Sequence, residues 1–144
     1  TVSNGVLSVR YKDTRNVRND NSEVFITMPV LTGLSSQGSG DIYVAGTFNS
    51  SDNFDVTISG SADIVVEKGS ADHFALHSSG SGDFKSFGFT AGTADIIIAG
   101  SGNVEIAVVQ QLKAKIRGSG SVYYKGDPVT IDDDISGSGK VIKK

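Results

Sequence analysis

The chain has 144 residues, a net charge of −3, no cysteine and 18 glycines. That length fits one domain with a continuous core. The lack of cysteine excludes a structural disulfide and a thiolate zinc site, and the negative charge argues against nucleic acid as a main partner.

Glycine does not recur every third residue, which excludes collagen, and recurring clusters of Val, Ile, Leu and Phe exclude disorder. The charge is uneven. Residues 40–109 carry two basic and nine acidic side chains, whereas residues 110–144 carry seven basic and four acidic. No apolar run approaches the ~20 residues that cross a bilayer. Thr1 opens directly into polar sequence, so no leader peptide is visible there.

In chain order, residues 5–11 (GVLSVRY) and 23–29 (EVFITMP) read as strands, separated by a polar loop from Asp13 to Ser22. Leu31 to Leu34 leads into a short motif that then recurs six times: GSGDI at 38–42, GSADI at 60–64, GSGDF at 80–84, GSGNV at 100–104, GSGSV at 118–122 and GSGKV at 137–141. Successive first glycines lie 22, 20, 20, 18 and 19 residues apart. Each motif sits between two runs with the period of a half-buried strand, such as FDVTIS (54–59) before and DIVVE (63–67) after. No helical period persists beyond one turn.

An antiparallel sandwich gives no reason for one pentapeptide to return every twenty residues or so. A solenoid does, because equivalent residues then stack. The expected fold is a right-handed parallel β-helix, single-stranded, with coils about 4.8 Å apart. The whole chain, 1–144, reads as a single domain. Residues 1–37 form irregular N-terminal coils and a cap, and residues 38–144 form the GSG-repeat coils.

The motif glycines Gly38, Gly40, Gly60, Gly80, Gly82, Gly100, Gly102, Gly118, Gly120, Gly137 and Gly139 fall in phase with the inward apolar residues. This implies either an edge too narrow for an inward side chain or a bend with φ values that glycine takes easily. The central serines should point outward and stack.

The residue after each motif should form a ladder of Asp41, Asp63, Asp83, Asn103, Ser121 and Lys140. Three aspartates about 5 Å apart suit either exposed turns or a hard cation such as Ca²⁺, making Asp41, Asp63 and Asp83 the metal candidates. The GSGD core is also similar to the calcium-binding nonapeptide repeat, but the period here is twice as long. No other cofactor is indicated.

His73 and His77 lie at i and i+4 on a strand, about 13 Å apart, and cannot share a metal. Neither a P-loop nor a nucleophile elbow occurs. Asp132, Asp133 and Asp134 form an acidic cluster of the kind glycoside cleavage needs, but Asp133 falls on an inward parity, so a bulged, solvated turn is the simpler expectation. Tyr43 and Tyr123 fall on outward positions where aromatic rings could stack on sugars. Phe87 and Phe89 break the parity of their coil and should fill a wider corner.

The repeats, the segment MPVLTGLSSQGSGDIYV and the stretch LKAKIRGSGSVYYKGDPVTIDDDISGSGKVIKK resemble the head GIN domain family. These are autotransporter-type adhesins common in envelopes of Bacteroidetes-like bacteria. The resemblance spans roughly residues 23–144 and is strongest over 94–144. Leu112, Ala114, Ile116, Gly118, Ser119, Gly120, Val122, Tyr124, Gly126, Pro128 and Ser136 to Gly139 carry it. Ala62, in place of the second motif glycine, and Arg117, where serine is usual, depart from it. The resemblance implies a β-helix, export, and a place at the cell surface or in the periplasm, and it supplies no catalytic residue.

The expected function is therefore a non-catalytic, adhesin-like binding or structural module with an unidentified protein or glycan ligand. The alternatives are a polysaccharide-binding or polysaccharide-degrading β-helix and a calcium-dependent surface module. Oligomeric state is not legible in the sequence.

Overall fold

A computed structural model describes residues 1–10, 22–50 and 52–144. Eleven strands occur among them and no helix. Val2–Ser3 (β1) and Val6–Leu7 (β2) pair antiparallel with each other, apart from the main sheet. The rest are Gly33–Gly38 (β3), Ile42–Asn49 (β4), Asn53–Gly60 (β5), Ile64–Gly80 (β6), Phe84–Gly100 (β7), Val104–Gly118 (β8), Val122–Lys125 (β9), Thr130–Gly137 (β10) and Val141–Lys143 (β11).

Every pairing among these nine strands is parallel. The chain winds as a β-solenoid of about six turns, roughly 20 residues apart. The first motif glycines stack in one unbroken column, Gly38 on Gly60, Gly80, Gly100, Gly118 and Gly137.

Two lateral faces meet at that column. The first carries β3, β5, the later halves of β6, β7 and β8, and β10. The second carries β4, the earlier halves of β6, β7 and β8, then β9 and β11.

The two glycines of a motif are required for overlapping reasons, which Gly100 and Gly102 illustrate. Gly100 has φ 153°, in the region that L side chains rarely adopt. Gly102 is buried, and a Cβ there would lie 2.1 Å from the carbonyl oxygen of Gly82 in the coil before. Both explanations expected from the sequence therefore hold: a Cβ at Gly100 would also lie 2.1 Å from the Gly80 carbonyl oxygen, so the first glycine answers to both and the second to the close approach alone. At this column, the backbone N–H groups of Ser101 and Gly102 both donate to the Gly80 carbonyl, at 2.8 and 3.3 Å. The motif serines are exposed, and it is their backbone N–H groups, rather than a hydroxyl ladder, that tie the coils together at this edge.

The core is a column of inward side chains. Its early coils hold an aromatic cluster of Phe48, Phe54, Phe74, Phe84 and Phe89, with centroids 4.9 Å apart for Phe48–Phe54 and 5.2 Å for both Phe54–Phe89 and Phe74–Phe84. Its later coils are aliphatic, with Ile96, Ile98, Ile106, Leu112 and Ile116 fully buried. Each such side chain contributes about 1.5–3 kcal/mol by leaving water.

The 18-residue spacing also has a structural cause. The register skips from Ser86↔Ile106 to Thr90↔Ala107, so Phe87, Gly88 and Phe89 have no counterpart in the next coil, and a second shift, from Ala91↔Val108 to Thr93↔Gln111, returns one residue, which makes the coil two residues shorter. Phe89 turns into the core as expected for a wider corner, whereas Phe87 is half-buried beneath the Lys125 ammonium.

The N-terminal region corrects the sequence reading. In place of irregular coils, residues 1–10 form a hairpin around Asn4 and Gly5, whose φ values are 50° and 77°. Asn-Gly is the two-residue turn that favours positive φ at both positions. Residues 23–29 have strand composition but no strand partner among the described residues, and Phe25 there is 90% exposed. The first coil starts at Gly33. Most of the loop expected between Asp13 and Ser22 lies outside the described residues.

A second correction concerns Asp132, Asp133 and Asp134. They lie in a regular strand without a bulge, in register with Lys113, Ala114 and Lys115. The cross-strand charges favour that pairing, and it leaves Asp133 on the inward side of an outermost, uncovered strand.

Candidate functional site

The ladder after the motif is the most ordered polar feature of the second face. The Asp41 Oδ1 accepts the backbone N–H of Asp63 at 2.8 Å, the Asp63 Oδ1 that of Asp83 at 2.9 Å, and the Asp83 Oδ1 that of Asn103 at 2.7 Å. The Asn103 Oδ1 then accepts the N–H of Ser121 at 3.1 Å, and the Ser121 Oγ that of Lys140 at 3.2 Å. Five consecutive side chains thus each supply an acceptor to the coil that follows. Asp, Asn and Ser all have an acceptor oxygen on a short arm, and an ammonium has none. At the sixth position Lys140 donates its N–H to the ladder, and its side chain carries no acceptor.

This geometry gives each aspartate a structural role between the coils. One oxygen of each is committed to a backbone N–H, and the other oxygen of Asp63 receives Lys85 Nζ at 2.7 Å. Lys85 also approaches Asp83 Oδ2 at 3.4 Å. Hydrogen bonding from Lys85, and then from the Asp83 N–H, holds the Asp63 carboxyl below its usual range, and the Asp63 bond holds the Lys85 ammonium above its own. The structure does not gather Asp41, Asp63 and Asp83 into one ligand set: among the described residues no group of three His, Cys, Asp or Glu could hold a metal ion.

The next outward column on this face reads Tyr43, Val65, Lys85, Glu105, Tyr123 and Ile142. Tyr43 and Tyr123 therefore share a column but stand four coils apart, about 19 Å, too far to hold one sugar ring between them. Tyr43 donates its hydroxyl to Glu67, which also accepts the Gly46 N–H at 2.9 Å. Those bonds, the Tyr43 one foremost, lower the Glu67 carboxyl, and the same contact raises the Tyr43 phenol. Tyr123 lies beneath Lys144, whose Nζ is 4.8 Å from the ring centroid.

On the first face, His73 and His77 are exposed while Phe74 and Leu76 between them are buried. The His73 Nδ1 meets Thr93 Oγ1 at 2.6 Å, an inter-coil contact that the sequence alone did not disclose. Arg117 is bidentate to Asp134, at 2.9 and 3.2 Å, and Lys115 lies 3.9 Å from the same carboxylate. The acidic cluster is thereby part of a charge lattice that fastens β10 to β8.

The chain thus belongs to the class of parallel β-solenoids with flat, ladder-locked faces. A family model described as "putative auto-transporter adhesin, head GIN domain" matches residues 1–128, and the chain belongs to that family. A solved structure, a putative adhesin from Bacteroides fragilis, superposes with a TM-score of 0.61 at 25% identity, covering 81% of this chain. The match covers 62% of that chain, so this sequence spans less than two thirds of its neighbour's length. No curated protein matches. Among the described residues no helix is long and apolar enough to cross a membrane.

Proposed function

We propose that the chain is a non-catalytic, adhesin-like binding module that presents its lateral faces at the cell envelope, exported to the periplasm or the outer surface. The family description and the neighbouring adhesin both point to an adhesin-like role. The observation that carries the finer reading is the acceptor ladder from Asp41 to Ser121. It fixes the coils of the second face to one another and leaves the outward column beside it ordered in advance. A surface ordered before its ligand arrives loses little conformational freedom on binding. The ladder residues serve that rigidity; the neighbouring outward side chains meet the ligand.

The test is a screen of glycans and surface proteins, with each bound glycan then examined for cleavage. Retention without product supports a binding module. Release of reducing ends or unsaturated sugars would assign the fold to polysaccharide degradation instead.

A further inference from the structure

We propose that the end of the second face formed by β9 and β11 binds an acidic polysaccharide. This rests on the binding reading above and names its ligand class.

The starting point is where the basic excess of residues 110–144 goes. Seven basic and four acidic side chains occupy that stretch. On the first face, Lys113, Lys115 and Arg117 of β8 are met by the aspartates of β10: Lys113 pairs in register with Asp132, and both Lys115 and Arg117 reach Asp134. The other four cations, Lys125, Lys140, Lys143 and Lys144, belong to β9, β11 and the residues that flank β11, where the nearby carboxylates are Asp127 and, one coil before Tyr123, Glu105. Lys143 is bound to Asp127. The positive excess is therefore concentrated on Lys125, Lys140 and Lys144, none of which has an ion pair among the described residues.

These three frame an amphipathic centre. Lys140, Ile142 and Lys144 share one side of an extended strand, which sets the two lysines about 13 Å apart. Ile142 lies in register with Tyr123 on β9. The Lys144 backbone N–H donates to the Tyr124 carbonyl at 2.9 Å, which brings Lys144 beside Lys125. Lys144 and Lys125 rest over the rings of Tyr123 and Phe87, at 4.8 and 4.5 Å. Cation–π contacts hold an ammonium in place without neutralising it.

A flat strip with an aromatic centre and positive groups along its length fits a chain of sugars whose carboxylates repeat along an extended backbone. The carboxylates meet the lysines, and the C–H faces of the sugars lie against half-buried Ile142 and the part of Tyr123 that Lys144 leaves uncovered. A nucleic acid crossing the coils would run into residues 40–109, which carry nine acidic side chains against two basic. Ile142, the apolar residue of the strip, is half-buried, which gives a bilayer little to insert. Lysines also protect edge strands, but Lys125 lies on β9, which is paired on both sides.

The experiment measures binding of polygalacturonate, neutral dextran, duplex DNA and anionic lipid vesicles at low and high salt. The proteins are the unaltered chain, the triple variant Lys125→Gln/Lys140→Gln/Lys144→Gln, Tyr123→Ala, and Lys113→Gln as a first-face control. Circular dichroism melting confirms that each variant is folded. The expected result is polygalacturonate binding that weakens with salt, falls by about tenfold or more in the triple variant, and is little changed by Lys113→Gln. Tyr123→Ala should weaken binding severalfold while preserving its salt dependence. Equal binding by the triple variant, or a preference for DNA or vesicles, would overturn the proposal. Binding of dextran alone would overturn it and leave the module's binding role standing. Failure of every ligand, here and in the broader screen, would remove both.

Discussion

Asp83 Oδ1 accepts two bonds from Asn103 in the next coil, one from its backbone N–H at 2.7 Å and one from its Nδ2 at 3.2 Å. The arrangement makes the column after each motif a chain of acceptors and turns a sequence preference into a structural requirement. Asp83→Ala leaves the Asn103 N–H without that acceptor and should destabilise the chain by about 1–2 kcal/mol. Asp83→Asn keeps an acceptor oxygen and should lose less. Denaturant unfolding of the two variants checks the order.

Acid should weaken the same ladder. The Lys85 contact and the Asp83 N–H depress the Asp63 carboxyl. A carboxyl depressed in the folded state contributes stability that is complete above its unfolded value, about 3.9, and is lost as pH falls through the lower folded value. Melting temperature should thus hold through mildly acidic pH and fall below about pH 4. Asp63→Asn should flatten part of that fall, whereas an unchanged profile would show that the Lys85 contact carries no pH dependence.

The glycines of the motif should differ sharply by coil. A Cβ at Gly102 meets the Gly82 carbonyl at 2.1 Å, while one at Gly40 meets nothing within 4 Å. Gly102→Ala should cost about 3 kcal/mol, and Gly40→Ala no more than about 0.5 kcal/mol. Thermal unfolding of the two side by side tests whether the close approach of neighbouring coils, rather than glycine content, sets the cost.

One core position should tolerate improvement. The Ser78 hydroxyl is buried and has no hydrogen-bond partner among the described residues, in a column where neighbouring coils place Ile58 and Ile98. Ser78→Val removes an unpaired polar group and adds buried methyl groups, and should stabilise the fold by about 1 kcal/mol. A lower melting temperature would mean that the cavity cannot take a branched side chain.

Much of this architecture was legible because stacking leaves a periodic trace. The motif glycines, the inward parity of Ile96, Ile98, Val104 and Ile106, and the ladder positions all follow from one repeated coil. The ladder's chemistry was not legible. A column of Asp41, Asp63 and Asp83 suits a cation as well as it suits inter-coil N–H groups, and only the relative height of neighbouring coils decides between them. Asn4-Gly5 is itself a hairpin signal, independent of the coil repeat. Residues 23–29 show the reverse case, where strand composition with no neighbouring strand among the described residues yields no strand. The position of Phe87 and the pairing of Asp134 with Arg117 depend on how each coil is cut at its corners, which local pattern does not encode.

The stacking itself is open to direct measurement, and the absence of cysteine makes it clean. Ser59, Ser79 and Ala99 occupy one column in three successive coils. Under mild oxidation, Ser59→Cys/Ser79→Cys and Ser79→Cys/Ala99→Cys should form internal disulfides, because neighbouring coils place their Cα atoms about 5 Å apart. Ser59→Cys/Ala99→Cys, two coils or about 10 Å apart, should remain reduced. Efficient cross-linking of the 59–99 pair, or none in either neighbouring pair, would contradict the parallel stack.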